Sequence, residues 1–307
     1  SPARTRCGSS IAAATGIKHL ANIPFMVTGA SFAGGWSAAG AAKFPDLCLA
    51  SAPVLIGLAG AGTSDPRVLT TPHLHVFGSK DGGHLRTVFE TVPSLREQHT
   101  LWANASMWMV YHRQHKADAL IYPFFREVMN LRLPPVPDYS VTVPLRALKE
   151  EAGWYGLMDS WTNNYPQIVR VPEYRGDSKN LAWLPNETVA RIWQAFVSFH
   201  PRTVTHFPMF EGNSTFGGPP PNGWHNSFLE ADRPFELVAS GPLGENLEVK
   251  YFDATRPLKV LRQHGGSPYR VTLEGLEPGL HSIYAVTTVN GEKEISRPVT
   301  ILFSKRQ

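Results

Sequence analysis

Cysteine is almost missing from this chain. Only Cys7 and Cys48 occur among 307 residues, which excludes a disulfide framework and provides no metal knuckle. Cys48 lies in the apolar run 47–50 and reads as a small buried hydrophobe. A strong charge of either sign is also lacking: 29 Lys and Arg face 25 Asp and Glu, with no dense basic run, for a net +4. That balance speaks for solubility and gives no reason to expect a nucleic-acid partner. Long hydrophobic runs are missing too, because Pro, Gly or a charge interrupts every apolar stretch before the ~18 residues needed to span a bilayer. No charged-then-apolar leader stands at Ser1, so no signal peptide is visible.

What is present is core-forming material. Hydrophobic residues make up 42% and aromatics 11%, and the length admits one large domain or two ordinary ones. The chain is organised around residues 24–35, PFMVTGASFAGG. Strand formers Phe25, Met26 and Val27 run to Gly29, and after Ser31 small residues lead into a helix-like run over 36–42. Strand, sharp turn and helix leave Ser31 at the apex, proud of a sheet. It stands beside a helix N-terminus whose N–H groups, that of Phe32 among them, can stabilise an oxyanion. The reversal brings the second neighbours of the serine together, so both must be small, as Gly29 and Ala33 are. Taken alone the string equally fits a plain small-residue turn, and what lies downstream decides.

Residues 9–22 read as a helix broken near Gly16, 47–54 as a buried strand and 57–64 as a Gly-rich loop. Residues 73–78 read as a third strand ending in Ser79, Lys80 and Asp81; His73 and His75, alternating along it, read as structural. A helix is expected around 94–105, then a fourth strand over 107–111 that delivers His112. Leu120, Ile121, Phe124, Phe125 and Val128 recur at helical spacing, which predicts an amphipathic helix over 117–131. Apolar strands alternating with helices predict a parallel α/β sheet, whose ligand sites lie at the carboxyl ends of its strands.

The chain is proline-rich over 134–144, and Trp154, Trp161, Tyr165 and Trp183 read as core or interface packing. One more helix is expected up to 197, with Asn186 as its N-cap. Beyond Pro201 the run 217–221 suits neither helix nor central strand. Short alternating runs at 235–238, 247–252, 269–273, 281–289 and 299–303 then predict a β-sandwich. Two domains are therefore expected, 1–200 and 201–307.

Ser31, Asp81 and His112 come in the order of a nucleophile, an orienting acid and a general base, each after a strand. Serine is a poor nucleophile until an imidazole takes its proton, and a carboxylate fixes the imidazole tautomer. His115 is the alternative base. On these residues the chain resembles the α/β-hydrolase superfamily, and within it bacterial esterases similar to polyhydroxybutyrate depolymerases and feruloyl esterases. The resemblance rests on 23–35 with Phe44 and Pro45, on 75–82, and on His112 ahead of 117–120. It covers roughly 10–200, while 201–307 look like a bacterial immunoglobulin-like module, most recognisably between Gly279 and Val299.

The resemblance implies a serine esterase with no metal or organic cofactor, exported to the periplasm or beyond, with polymer- or polysaccharide-linked esters within its range. An inactive hydrolase-like scaffold that binds carbohydrate or protein is the alternative. Three departures stand out. Ala33 occupies a position where relatives carry Gly, and Tyr111 and Arg113 flank His112 where they carry Gly and Glu. The family's sheet also has strands before the nucleophile strand, on the order of 100 residues at ~30 per βα unit, whereas residues 1–24 precede Phe25 here. The expectation is a chain truncated on its N-terminal side, without the loop that gives the second oxyanion N–H and with the Ser31 strand left at an open edge.

Overall fold

The computed structural model describes residues 13–56, 65–113, 116–177, 179–199, 204–206, 228–231, 234–240, 247–263 and 269–303. Four strands, β1 (Phe25–Ala30), β2 (Cys48–Val54), β3 (His73–Gly78) and β4 (Trp102–Met107), form a parallel sheet in the order β1-β2-β3-β4. Every residue of β2, β3 and β4 is buried, as expected of parallel strands covered on both faces. β1 is only partly buried and pairs with β2 alone among the described strands.

Helix α1 (Phe32–Lys43) follows β1 directly and buries Gly34, Ser37, Ala38 and Ala41. Small side chains let it lie close: a Cβ on Gly34 would sit 2.9 Å from the Val54 carbonyl oxygen. Helix α2 (Gly82–Arg96) joins β3 to β4, and α3 (Asp118–Arg132) follows β4. The apolar stripe Leu120, Ile121, Phe124 and Val128 of α3 shares one core with Ala50, Ala52, Val54, Leu74 and Val76 of the sheet. Each large side chain so buried contributes about 1.5–3 kcal/mol against chain entropy. At the end of α3 the buried Arg132 guanidinium donates to the carbonyls of Cys48 at 2.8 Å and Leu49 at 2.7 Å, which pins the start of β2.

Two expectations between β3 and α3 are corrected. The helix lies at Gly82–Arg96 and not at 94–105, and the strand at Trp102–Met107 and not at 107–111. Two glycines open the helix and Pro93 lies inside it, so local propensity argued against it. Burial of Val88 and Val92 in the core outweighs that propensity. In β4, Trp102, Asn104 and Ser106 face His73, His75 and Phe77 across the ladder, a strand hidden because Ala103, Asn104, Ala105 and Ser106 are poor in β-propensity. His112 therefore lies on a loop five positions beyond its strand.

The break near Gly16 stands, with helical residues at 13–15 and Gly16 at φ 73°, followed by a short 3-10 helix over Lys18–Asn22. After a stretch without regular structure over 142–149, β5 (Trp154–Leu157) pairs with β6 (Ile168–Arg170) and β7 (Leu181–Leu184) in a small antiparallel sheet. Helix α4 (Glu187–Phe196) follows, and the Asn186 side chain caps it by accepting from the Val189 N–H at 3.0 Å. Trp161, Trp183 and Trp193 are buried, in line with packing roles.

The C-terminal strands form two further sheets. One is β13 (Tyr269–Leu273), β10 (Phe235–Ser240) and β8 (Val204–His206). The other runs β12 (Arg256–Gln263), β11 (Leu247–Asp253), β14 (Gly279–Val289), β16 (Val299–Phe303) and β9 (Phe228–Ala231), with β15 (Glu292–Ile295) beside β14. Pairing is antiparallel except that β9 runs parallel to β16. Val271 and Leu273 of the first sheet share a core with Val249, Tyr251, Ile283 and Ile301 of the second. This layer rests on α4, where Ala195 packs with Tyr284, Val286 and Ile295. Strands β8, β9, β12 and β15 were not read from the sequence. The expected loop at 57–64 and the run at 217–221 lie outside the described residues, as do Cys7 and His115.

Candidate active site

Ser31 holds an elbow between β1 and α1 at φ 55° and ψ −122°. That is a left-handed backbone for a residue with a Cβ, at a cost on the order of 1–3 kcal/mol. The Ser31 N–H donates to the Val54 carbonyl at 2.8 Å, and the Ser31 carbonyl accepts the first helical bond from Gly35 at 3.2 Å. The serine is the N-cap of α1 by position, yet its hydroxyl makes no capping bond. A Cβ on Gly29 would lie 2.5 Å from the Ala33 carbonyl oxygen and 2.9 Å from the Ala33 Cβ, which is the steric reason both positions are small. The Phe32 N–H is in the first turn of α1, where backbone donors have no partner within the helix. It points from the positive end of the helix dipole.

Asp81 is the N-cap of α2 and likewise makes no capping bond. Its carboxylate oxygen Oδ2 lies 2.6 Å from Nδ1 of His112. An aspartate N-cap typically stabilises its helix by about 1 kcal/mol, so here the side chain is committed to the imidazole and not to the helix. The two residues are 31 positions apart. Gly78 is what lets them meet, because a Cβ there would sit 2.4 Å from the carbonyl oxygens of both Val110 and Tyr111. The loop after β4 thus lies directly on the end of β3. The Lys80 N–H donates to the Val110 carbonyl at 2.9 Å, and the Met109 N–H, on a residue at φ 63°, donates to Ser79 Oγ at 2.8 Å. At the loop's base, Trp108 Nε1 donates to the Val197 carbonyl at 2.6 Å.

Strands in a sheet lie about 4.8 Å apart, so the end of β4 is some 14 Å from β1 and the end of β3 about 10 Å. Folding the loop back over β3 carries the His112 imidazole one strand closer to Ser31. All three residues therefore stand at the carboxyl edge of the sheet, with Asp81 and His112 in contact. Among the described residues no hydrogen bond joins the Ser31 hydroxyl to either ring nitrogen of His112.

The sequence reading missed two neighbours. His84, in the first turn of α2, brings Nε2 to 3.8 Å from Asp81 Oδ2, and its ring lies 5.5 Å from that of His112. The three-residue spacing from Asp81 would have revealed it had the helix been started at Gly82. Gly78 carried no signal beyond ending a strand. Around the edge Phe32 is 78% exposed, Trp36 68% and Tyr111 63%. Phe32 and Trp36 meet edge to face at 6.1 Å, and the Lys80 ammonium lies over the Tyr111 ring at 5.2 Å.

His73 and His75 are structural, as read. They pack at a tilt against Trp102 in the interior, and burial pushes the His73 pKa down to about 4 and that of His75 well below its ordinary value. Cys48 is fully buried and its thiol is pushed up to about 12, which keeps it protonated and inert.

No helix among the described residues is long and apolar enough to cross a membrane. No protein-family model and no curated protein matches the chain. Among solved structures it is similar to fibronectin(III)-like modules of Clostridium thermocellum CbhA, at 16% identity over 25% of this chain and 84% of that one, with a TM-score of 0.22. A Jonesia denitrificans lytic polysaccharide monooxygenase aligns at 16% identity over 39% of this chain and 95% of that one, with a TM-score of 0.25. Bacteroides uniformis β-glucuronidase 3 aligns at 13% identity over 98% of this chain and 35% of that one, with a TM-score of 0.23. Similarities this slight transfer neither fold nor activity to this protein.

Proposed function

We propose that this protein is a serine hydrolase that cleaves carboxylic esters through an acyl-enzyme. The observation that carries the reading is the 2.6 Å contact of Asp81 with His112 Nδ1, at the same sheet edge as a serine held in a left-handed elbow. Ser31 Oγ attacks the acyl carbon while the imidazole of His112 takes its proton on Nε2. Asp81 keeps the other proton on Nδ1 and offsets the charge the ring acquires. The Phe32 N–H donates to the oxyanion. The protonated imidazole then gives its proton to the departing alkoxide, and a water repeats the sequence to release the acid. His115 remains the alternative base, and no organic cofactor is needed for these steps.

The same reading takes the sheet of β1–β4 with its helices as part of an α/β-hydrolase domain over 1–200 and the C-terminal strands as an immunoglobulin-like sandwich over 201–307. It makes the protein an exported one, acting on esters borne by a polymer. The exposed rings of Phe32, Trp36 and Tyr111 beside the site support an apolar or aromatic substrate surface. A fluorophosphonate probe should label wild-type protein at Ser31, and Ser31→Ala should abolish both labelling and ester turnover. Undiminished turnover in Ser31→Ala would refute the proposal. His112→Ala and His115→Ala, compared side by side, identify the base.

A second reading, a hydrolase-like scaffold that binds carbohydrate or protein without turnover, is favoured by the lack of a hydrogen bond from the Ser31 hydroxyl to His112. Failure of the probe to label Ser31 in folded protein would favour it.

A further inference from the structure

We propose that Asp81, His84 and His112 form a site for a zinc-class divalent ion, and that filling it switches the hydrolase off. The first half stands on the geometry of these residues alone, and the second rests on the serine-hydrolase reading. Asp81 Oδ2, His84 Nε2 and His112 Nδ1 face one another, with separations of 3.8 Å and 2.6 Å from the carboxylate oxygen to the two rings. Ligand atoms of the three residues all lie within 4.8 Å of one another. Tetrahedral zinc with bonds of about 2.0–2.1 Å holds its ligand atoms roughly 3.3 Å apart. The two carboxylate-to-ring separations straddle that value, each within about 0.7 Å of it.

The supports differ in a way that suits such a site. His84 is fixed by its position in the first turn of α2, where its N–H donates to the Asp81 carbonyl at 3.0 Å. His112 is on a loop with its side chain 45% exposed, and His84 is 32% exposed, which leaves an entry path and a fourth position for water. Two imidazole nitrogens and one carboxylate select zinc and its transition-metal neighbours over magnesium or calcium, which prefer all-oxygen sites.

The effect on catalysis follows from the proton inventory of one ring. A neutral imidazole has one N–H, which the Asp81 contact holds on Nδ1. A metal bound at Nδ1 needs that lone pair, so the Nδ1 proton leaves and the ring's single N–H resides on Nε2. That nitrogen then has no lone pair to take the proton of Ser31. Asp81, now a ligand, no longer orients the ring. Nothing is oxidised or reduced, and a chelator reverses the change.

The test is a titration of metal-stripped full chain with Zn2+ alone, read as bound metal after dialysis, with a parallel rate of fluorophosphonate labelling. One ion per wild-type chain is expected. His84→Ala and His84→Gln should weaken binding at least as much as the about 10- to 100-fold produced by loss of a supporting partner, and the effect of zinc on labelling is read for each protein against its own metal-free rate. Zinc should slow labelling of the wild type and spare both variants. No stoichiometric binding by the wild type, or equal binding by the variants at unchanged unfolding midpoints, overturns the site. Binding that leaves labelling untouched overturns the switch. If metal-free wild type is never labelled, the hydrolase reading falls while the dialysis result still decides whether the ion binds.

Discussion

Replacing Gly78 by alanine tests how His112 is delivered. The added Cβ would lie 2.4 Å from two carbonyl oxygens, those of Val110 and Tyr111, where ordinary contact begins at 3.4 Å. The shortfall is about 1 Å, and backbone on both sides leaves no flexible side chain to absorb it. Overpacking of this kind costs about 1–3 kcal/mol. If the loop lifts to relieve it, the bonds from Lys80 N–H to Val110 and from Met109 N–H to Ser79 stretch, at about 0.5–1.5 kcal/mol each, which reaches the same range. Urea unfolding should show a lower midpoint at unchanged slope. Amide exchange at Lys80 and Met109 should quicken without a change elsewhere in the sheet. On the serine-hydrolase reading, a shift of about 1 Å in the base lowers the Ser31 labelling rate by about 100-fold. A variant with wild-type exchange at both amides and a wild-type unfolding midpoint would refute the reasoning, because the loop could not then be resting on Gly78.

Three further outcomes are expected. Arg96, buried at the end of α2, pairs with Glu150, whose other partners are Tyr155 and His99 at 2.8 Å each; Arg96→Met should cost about 3 kcal/mol in urea unfolding, at the low end for a broken buried pair because those partners remain. Burial depresses the pKa of His75, and among the described residues neither ring nitrogen has a hydrogen-bond partner. The unfolded chain therefore binds a proton first as pH falls through 6.5, so stability is full above that value and declines below it; His75→Phe should lessen the decline in urea midpoints measured from pH ~7 to ~5. In β14 the opposite sign holds: His281 bonds Asp253 at 2.8 Å and the Glu277 carbonyl at 2.7 Å, and the Asp253 hydrogen bond raises its pKa. Its contribution is complete below 6.5 and fades as pH rises through the raised value, so the stability gap between wild type and His281→Gln should be widest near pH ~6 and shrink toward pH ~9.

Much of the elbow was legible because its constraints are local. Smallness at 29 and 33 follows from the tightness of the turn itself, and the Asn186 cap is read from residues within one helical turn. The fourth strand was not legible, since Ala103, Asn104, Ala105 and Ser106 owe their strand to the partners that β3 offers them and not to their own propensities. The helix over Gly82–Arg96 was misplaced for the same reason, with two glycines and Pro93 arguing against it until Val88 and Val92 find the core. That error hid His84, whose nearness to Asp81 depends on where the helix begins. Strand β12 escaped because Pro257 stands near its start, which an outermost strand tolerates and an inner one does not.

The left-handed turn at Ser31 sets two demands on one position against each other. Glycine would rest there without strain, so Ser31→Gly should firm the fold by about 0.5–2 kcal/mol once the larger chain entropy of glycine is set against the strain relieved. The same exchange would leave the sheet edge with no hydroxyl to offer an acyl group. On the serine-hydrolase reading a sturdier version of this molecule is thus a chemically silent one, and a screen that rewards heat resistance alone would steer toward it.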